Sequence, residues 1–547
     1  MSPVKPQVKG VDLVAKLQPQ GSRRVPRLNF DKLILRKLQK LERIFGLQPG
    51  NDFFFAEAVL LPDQIPLCPS LVRRHPLGKF IRSALPISHQ DLSAILSNLQ
   101  FEIHLYDTGT IPAGLNPASD YAQHAWTRDA AIVAIALAMT RHPNESRKAM
   151  SNIACFYGRE EQRSRFIGFH YDNDPAAKYR YGNPNRDLPH IRARIDESGN
   201  MIESEQDWSH SQLDAIGMWL YATFWLANRN LLDLKAIDHL ITADINPDNG
   251  IDSIYSVALK FLNRIRFWEQ HDHGPWEDRL EPSRASSVGI CVAALKEALA
   301  YFERNNWDTF QIYNPEGGPS LREELSTGLI EGERVLTARI PKSGSAAVET
   351  ERYPSDSALA FLLFPFNPGL SGTQERAILS ALYRDRMGEV GFTRRDNDEY
   401  LGMDYPINES GCFCDISKEG YKAAEWTLFD PLISAYYFQR YLSSSGMDEA
   451  SFLLGERHLK RSLAQITKSK DSYVKVYDSC KVEIPAMRLP EAYWFESSSK
   501  KWRANENTPL LMAEAASAMM FERGIEASKL WETARARSKS AKKGRAI

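Results

Sequence analysis

The feature that most constrains the fold is a long-period repeat of apolar segments. Six stretches of helix length are almost wholly apolar, and each follows a short polar or aromatic cluster. The stretches are 130–139, 215–227, 288–302, 357–366, 427–438 and 508–521. One residue in each cluster marks the repeat, with about 70 to 85 residues between successive markers: Asp129, Asp214, Ser286, Asp356, Trp426 and Asn507. Because a helix that is apolar all round must be buried, the repeat predicts six inner helices.

Charged segments with helical periodicity lie between the apolar ones. Their apolar residues recur at i, i+3, i+4 and i+7, which is typical of a helix with one exposed face. The clearest cases are 251–270, 320–336, 371–385 and 448–466. Inner helices ringed by outer ones predict an all-α fold, an (α/α)6 barrel or toroid. The polar clusters that begin the inner helices then converge at one end of the ring, where we expect the functional site.

The chain divides into three parts by composition. Residues 1–85 are predicted to form a short N-terminal extension with one amphipathic helix, Asp31 to Phe45. Residues 86–530 are predicted to form the barrel. Residues 531–547 are basic and poor in apolar side chains, which predicts a solvated tail rather than a nucleic-acid-binding arm.

Charge and cysteine content bear on partners and location. The chain has 68 Lys and Arg against 69 Asp and Glu, so no overall field favours nucleic acid or an anionic membrane. The first residues lack the continuous apolar run of a secretory signal, and the longest apolar stretches are too short to span a bilayer. Six scattered cysteines do not suggest a disulfide framework. We expect a cytoplasmic protein without nucleic-acid or membrane partners.

Three clusters combine acidic and aromatic residues in the way that carbohydrate chemistry requires. Cleavage of a glycosidic bond uses two carboxyl groups, one that donates a proton and one that activates water or attacks carbon. Sugars also present hydroxyl groups and apolar faces, so their pockets need charged side chains and aromatic rings. The clusters are 124–129 (HAWTRD), 274–279 (GPWEDR) and 489–494 (LPEAYW).

Each cluster also has an ordinary structural interpretation. Glu277 could be a surface acid paired with Arg279, Glu491 a turn or helix N-terminal acid, and Asp129 a helix cap. What favours the functional interpretation is that these residues share a position at the starts of the predicted inner helices.

Several motifs, taken in chain order, resemble a known family. HAWTRDAAIVAIALA, DWSHSQLDAIGMWLYA, GPWEDRLEPSRASSVGICVAALKEAL, YPSDSALAFLLFPF, GFTRRDNDEYLGMDY with GYKAAEWTLFDPLI, and LPEAYWFESSSKKW are similar to glucoamylase-type enzymes of glycoside hydrolase family 15. Within that family, Pro-Trp-Glu followed by Ser-Ser-Val-Gly, and Gly-Phe-x-Arg with Glu-Trp, most resemble the glycoside-hydrolase-like domain of phosphorylase kinase α and β subunits. The likeness runs from about Tyr106 to Phe521.

The resemblance implies a fold, an activity and roles for two acids. Its members share an (α/α)6 barrel and cut α-glucosidic bonds with inversion, typically releasing glucose from the non-reducing ends of α-glucans or oligosaccharides. By resemblance, Glu277 is the general acid and Glu491 is the general base that activates water.

The resemblance also implies a sugar-binding set. Arg128 and Asp129 resemble the clamp on the terminal glucose hydroxyls, and Trp126 resembles its wall. Asp278 stands where the family usually has a second Glu, which shortens that side chain. The full predicted set is Trp126, Arg128, Asp129, Trp208, Gln212, Asp214, Trp276, Asp278, Arg394, Glu425, Trp426 and Tyr493.

Other function classes find little support in the sequence. His271 with His273, and Cys412 with Cys414, lack the partner ligands and spacing of a zinc site, so we expect no metal. The motifs of nucleotide-binding and kinase sites are missing, so we expect no cofactor. One rival hypothesis is a sugar sensor or scaffold that binds carbohydrate without turnover, and another is a purely structural toroid. The presence of both Glu277 and Glu491 favours hydrolysis.

Overall fold

A computed structural model gives the structure of most of the chain. It describes residues 62–99, 101, 104–168, 188–203, 210–237, 253–277, 279–305, 320–343, 346–407, 413–476 and 479–544. The predicted helix Asp31 to Phe45 and the predicted site residues Trp208 and Asp278 lie outside these ranges. The chain from Val59 onward forms one compact unit.

The described fold is mainly helical. Its α-helices are α1 (Pro69–Val72), α2 (Gly78–Ile81), α3 (His89–Leu99), α4 (Thr127–Met139), α5 (Pro143–Gly158), α6 (Glu160–Gly168), α7 (Leu213–Ala227), α8 (Ile254–Arg264), α9 (Ala285–Asn305), α10 (Leu321–Arg339), α11 (Gly372–Ala381), α12 (Phe429–Ser443), α13 (Glu449–Gln465) and α14 (Leu511–Gly544). A 3₁₀ helix spans Ser357–Leu362.

Six of these elements close into a ring. In order, α4, α7, α9, the 3₁₀ helix, α12 and α14 each contact the next, and α14 returns to α4. An outer helix packs on each: α5 on α4, α8 on α7, α10 on α9, α11 on the 3₁₀ helix, α13 on α12 and α3 on α14. The fold is therefore an (α/α)6 barrel, as the repeat predicted.

The inner elements form the core because their side chains are apolar on every face. Every described residue of α7 is buried except Trp225, which is partly exposed. Outer helices α10 and α11 begin with capping boxes, at Ser320 with Glu323 and at Ser371 with Gln374, which satisfy backbone N–H groups at the exposed ends.

The fourth inner element is shorter than the sequence pattern predicted. The apolar stretch 357–366 predicted a helix of full length, but the regular 3₁₀ turns end at Leu362. Pro365 lacks a backbone N–H and its ring collides with the preceding helical turn, so the helix does not continue through it.

Short strands line the end of the ring where the inner helices begin. One sheet joins β1 (His124–Trp126), β2 (Arg192–Ile195) and β3 (Met201–Glu203), and another joins β6 (Glu425–Trp426), β9 (Ala492–Glu496) and β10 (Lys501–Ala504). Two hairpins pair β4 (His271–Asp272) with β5 (Glu281–Pro282) and β7 (Asp471–Lys475) with β8 (Cys480–Ile484). All of these pairings are antiparallel.

The two ends of the described chain are more ordered than their composition suggested. Residues 62–85 contain α1 and α2 and are held against α13, where Arg457 donates to the Ile65 carbonyl and Lys460 to the Ser83 and Leu85 carbonyls. At the other end, α14 continues to Gly544, so most of the segment predicted as a solvated tail is helical.

Among the described helices, only α9 is long enough and apolar enough to cross a membrane, judged by length and composition alone. Most of the apolar residues of α9 are buried inside the barrel, as expected for a core helix.

Candidate active site

A cavity of about 920 Å³ opens where the inner helices begin. It is lined from both sides of the ring, by residues at the starts of α4 and α14 and by residues that precede α9, the 3₁₀ helix and α12. Eight predicted site residues line it: Trp126, Arg128, Asp129, Trp276, Glu277, Arg394, Trp426 and Glu491. Sequence segments that are hundreds of residues apart therefore meet in one place.

Glu277 lies in a tight loop between β4 and β5. Its backbone adopts a left-handed conformation, with a φ of 55°, and its N–H donates to the Gly274 carbonyl at 3.1 Å. Gly274 also has positive φ, and a Cβ there would lie 2.7 Å from Cδ of Arg284. Left-handed non-glycine residues are uncommon and cluster at functional sites, so the loop is built to direct the Glu277 side chain.

Arg128 is the immediate partner of Glu277. Its Nη2 donates to Oε1 of Glu277 at 3.1 Å, and its Nη1 donates to Oε1 of Gln212 at 3.2 Å. Its Nε lies 3.4 Å from Oδ2 of Asp129 and its Nη1 lies 3.7 Å from Oδ2 of Asp214. Burial lowers the pKa of Arg128, but the surrounding carboxyl groups outweigh burial and raise it, so the guanidinium is permanently charged.

Gln212 and Asp214 were predicted to bind substrate, but both lie behind Arg128 and neither lines the cavity. Asp214 is the second residue of α7 and is fully buried. Both residues contact the guanidinium of Arg128, which does line the cavity.

Glu491 lines the same cavity as Glu277, lies just before β9, and is almost completely buried. Its Oε1 accepts from the Tyr121 hydroxyl at 3.1 Å, and its Oε2 accepts from Nδ2 of Asn505 at 2.8 Å and of Asn507 at 2.6 Å. Burial raises the pKa of Glu491 to about 7, against the three hydrogen bonds, which lower it. Its protonation therefore changes near neutral pH.

Aromatic rings form a wall of the cavity. The rings of Trp276 and Trp426 have centroids 5.0 Å apart, and the guanidinium of Arg394 lies within 5.5 Å of both and 4.7 Å from the Tyr400 ring. Arg394 is held in place by two hydrogen bonds to Asp398, at 2.8 and 2.6 Å. The wall offers flat apolar surface beside a fixed cation, which suits the C–H faces and hydroxyl groups of a sugar.

Glu425 and Tyr493 were predicted to bind substrate, and the structure places both outside the cavity lining. They are direct cross-strand partners on β6 and β9, next to the pair of Trp426 with Ala492. Because side chains alternate along a strand, Glu425 and Tyr493 point away from the cavity when Trp426 points into it. The Tyr493 hydroxyl donates to the Gln465 carbonyl at 2.8 Å.

Glu425 instead holds a loop. Its carboxylate accepts from the backbone N–H groups of Glu389, Val390 and Gly391, at 3.1, 2.5 and 2.8 Å. Burial raises the pKa of Glu425, and the hydrogen bonds from this loop lower it. The residue belongs to the scaffold behind Trp426.

Several residues of the site escaped the sequence analysis. Tyr121 and Asn505 contact Glu491, and Asp356 accepts a hydrogen bond from Nε1 of Trp276 at 2.7 Å. Asp356 and Asn507 are two of the six residues that mark the repeat. Their position before an inner helix could therefore have indicated that they belong to the site. Further lining residues missed by the prediction come mainly from the segments before and after the 3₁₀ helix: Arg352, Tyr353, Arg395, Asp396, Asn397, Glu399 and Tyr400.

The cavity geometry agrees with what a comparison of sequences finds. Residues 90–314, which include α4, α7, Arg128 and Glu277, match the family model described as glycosyl hydrolases family 15. The matched region, about two fifths of the chain, is similar to glycoside hydrolase family 15. The closer resemblance to phosphorylase kinase subunits and the cytoplasmic location stay predictions. A comparison with curated proteins gives no match.

Several solved structures share the fold of this chain. A variant described as a glycosidase aligns with a TM-score of 0.53 and 18% identity, over 80% of this chain and 98% of that one. A glycosidase variant in complex with glucose aligns with a TM-score of 0.52 and 16% identity, again over 80% and 98%. The glucoamylase from Saccharomycopsis fibuligera aligns with a TM-score of 0.52 and 14% identity, over 82% and 98%. The likeness extends over the whole barrel.

Proposed function

We propose that this protein is an inverting α-glucosidic hydrolase that releases glucose from the non-reducing ends of α-glucans or oligosaccharides. Glu277 is the general acid and Glu491 is the general base. The observation that carries the proposal is the pair of glutamates in one aromatic-walled cavity, each with partners suited to a different role.

The surroundings of Glu277 suit a proton donor. When Glu277 protonates the leaving oxygen it becomes a carboxylate, and Arg128 is already within hydrogen-bonding distance of it. A cation fixed where negative charge develops stabilises the transition state more than the ground state.

The surroundings of Glu491 suit a base that activates water. A carboxylate has about four acceptor positions, and Tyr121, Asn505 and Asn507 occupy three of them. The remaining position, on Oε1, is available to a water. No cation neutralises Glu491 directly through an ion pair in the described part of the chain, so the carboxylate keeps its basicity.

The aromatic wall and the Arg128 and Asp129 pair supply the means to hold a sugar. Trp126, Trp276 and Trp426 offer apolar surface, while Arg128 and Asp129 offer a donor and an acceptor for hydroxyl groups. The glucosyl substrate, its α-linkage and attack at the non-reducing end rest on the family resemblance.

The test is glucose release from maltose, isomaltose, maltooligosaccharides and trehalose, with the product anomer followed by proton NMR. We expect β-glucose to appear first and both Glu277→Gln and Glu491→Gln to abolish it. Glu281→Gln is the matched control, because Glu281 begins β5 just after the Glu277 loop and does not line the cavity. Turnover that survives in Glu277→Gln at wild-type stability would contradict the assignment, and α-glucose as the first product would contradict inversion.

A further inference from the structure

Arg128 is surrounded by more carboxyl groups than its single charge can balance. Asp129, Asp214 and Glu277 lie 3.4, 3.7 and 3.1 Å from three different nitrogens of its guanidinium. The side chains of Arg128 and Asp129 are at least nine-tenths buried and Asp214 is completely buried. Three carboxylates around one cation would leave two uncompensated negative charges out of water, which is very costly.

Of the three acids, Asp214 has the fewest contacts that would stabilise a negative charge. Neither of its oxygens accepts a hydrogen bond from the described residues, and its contact with Arg128 is the longest of the three. Glu277 accepts a hydrogen bond from Arg128 and is partly exposed to the cavity. Burial raises the pKa of Asp214 to about 8, compared with about 6 for Asp129, where Arg128 opposes burial more effectively.

The other charged and titratable groups around Asp214 act in the same direction. Asp272 on β4 and Glu277 both raise its pKa, and the buried Cys291 thiol on α9 carries no charge. Asp272 accepts from the Leu213 N–H at 2.9 Å and from the Ser287 hydroxyl, which hold its carboxyl group beside the start of α7. The N-terminus of α7 and the amide of Asp214 itself favour the carboxylate, but burial outweighs them.

We propose that Asp214 carries a proton in the resting enzyme and acts as a positioning residue, which reserves the positive charge of Arg128 for Asp129 and for the carboxylate that forms on Glu277. The inference deepens the proposed function and rests on Glu277 as its general acid.

The charge balance during proton transfer explains why this matters. In the reactive form, in which the proposed general acid Glu277 carries the proton that it will donate, Glu277 and protonated Asp214 are neutral, and Arg128 and Asp129 cancel each other. The Glu277 O–H bond then breaks and its proton goes to the glycosidic oxygen, so that the anomeric C–O bond breaks and releases the alcohol. A water forms the new C–O bond at the anomeric carbon from the opposite face and gives a proton to Glu491. Glu277 is left as a carboxylate 3.1 Å from Arg128, and the group carries one net negative charge. With an ionised Asp214 it would carry two, which would oppose the transfer.

The direct test is infrared spectroscopy of the full-length protein with ¹³C in its aspartate carboxyl groups. At pH 7, between the two pKa values, we expect one isotope-sensitive band from a protonated, buried aspartic acid. Asp214→Asn removes this band, and Asp129→Asn, which changes a carboxyl group on the same arginine, leaves it. A wild-type protein without the band, or a band that Asp214→Asn leaves unchanged, would overturn the proposal. Absence of the band from the wild-type spectrum would overturn the proposal even when a variant does not fold.

Kinetics give a second readout. At pH 7, Asp129→Asn removes the charge that balances Arg128, whereas Asp214→Asn replaces a neutral acid by a neutral amide of the same shape. We therefore expect Asp129→Asn to lower kcat/KM at least about tenfold more than Asp214→Asn does. The reverse order, in variants of wild-type thermal stability, would contradict a protonated Asp214. If no glycoside is hydrolysed the proposed function fails, while the infrared band still reports on Asp214.

Discussion

The two glutamates of the cavity have opposite kinds of partner. The side chain of Glu277 is 17% exposed, and it accepts a hydrogen bond from the permanent cation Arg128. Glu491 is 2% exposed and is held by one hydroxyl and two amide groups, all neutral donors. A cation next to an acid favours the state reached after proton loss. Neutral donors hold the carboxyl group of Glu491 in place without the full charge of an ion pair. The contrast supports the two proposed roles.

The sharpest test of this contrast uses a substrate that needs no proton donor. Fluoride leaves without protonation, so α-glucosyl fluoride bypasses the general acid but still needs an activated water. We expect Glu491→Gln to lose about 10² to 10⁴ in kcat on both maltose and the fluoride, and Glu277→Gln to lose this much on maltose only. If both variants lost the same factor in kcat on the fluoride, the proposed difference in role between Glu277 and Glu491 would be contradicted.

The burial of Glu491 also predicts an effect on stability. A carboxyl group whose pKa is raised on folding from 4.5 to about 7 carries no penalty below pH 4.5 and its full penalty above pH 7. At pH 8 this penalty amounts to about 3 kcal/mol. In Glu491→Gln, the amide oxygen can accept from Asn505 and Asn507, while the amide nitrogen can donate to the Tyr121 hydroxyl.

We therefore expect Glu491→Gln to unfold at higher denaturant concentration than the wild type at pH 8, with the difference shrinking as the pH falls to 4.5. Denaturant titrations across this pH range measure it. Glu277→Gln serves as the comparison, since Glu277 is less buried. A Glu491→Gln variant that is less stable than the wild type at pH 8 would mean that the pocket favours the charged form.

The neutral donors around Glu491 should control the pH at which it works. Asn507→Ala removes a 2.6 Å hydrogen bond to the carboxylate, which raises the pKa of Glu491 further. A base must be ionised, so the acid limb of kcat moves to higher pH and kcat at about pH 6 falls about tenfold. Asn152→Ala is a control, because that side chain bonds Thr110 away from the cavity. An acid limb that stays in place would show that Asn507 does not act on the base.

The sequence predicted the barrel more completely than it predicted the residues that surround the cavity. The regular spacing of the six apolar segments predicted the ring, because a buried inner helix is apolar on all of its faces. The clusters of acidic and aromatic residues then pointed to Arg128, Glu277 and Glu491, all of which line the cavity. Tyr121 and Asn505 were missed because they reach Glu491 only through tertiary contacts from segments 370 residues before and 14 residues after it. The position of Glu425 outside the cavity lining was not foreseen, because a two-residue strand gives no periodicity from which its face could be inferred.

A substitution at Glu425 is expected to have the smallest effect on activity. It tests whether a buried, hydrogen-bonded glutamate outside the cavity contributes to function. Like Glu491 it is a buried glutamate with three hydrogen-bond donors, and the two lie on neighbouring strand segments, but its donors are the backbone amides of residues 389–391. Glu425→Gln turns one acceptor oxygen into a donor that faces an N–H group. We expect a loss of about 1 to 3 kcal/mol in stability, measured by denaturant unfolding, with KM for maltose changed by no more than about twofold. A tenfold rise in KM at unchanged stability would return Glu425 to the sugar-binding set. The expected result would show that burial and hydrogen bonding alone do not make a glutamate catalytic, because the carboxylate must also face the cavity.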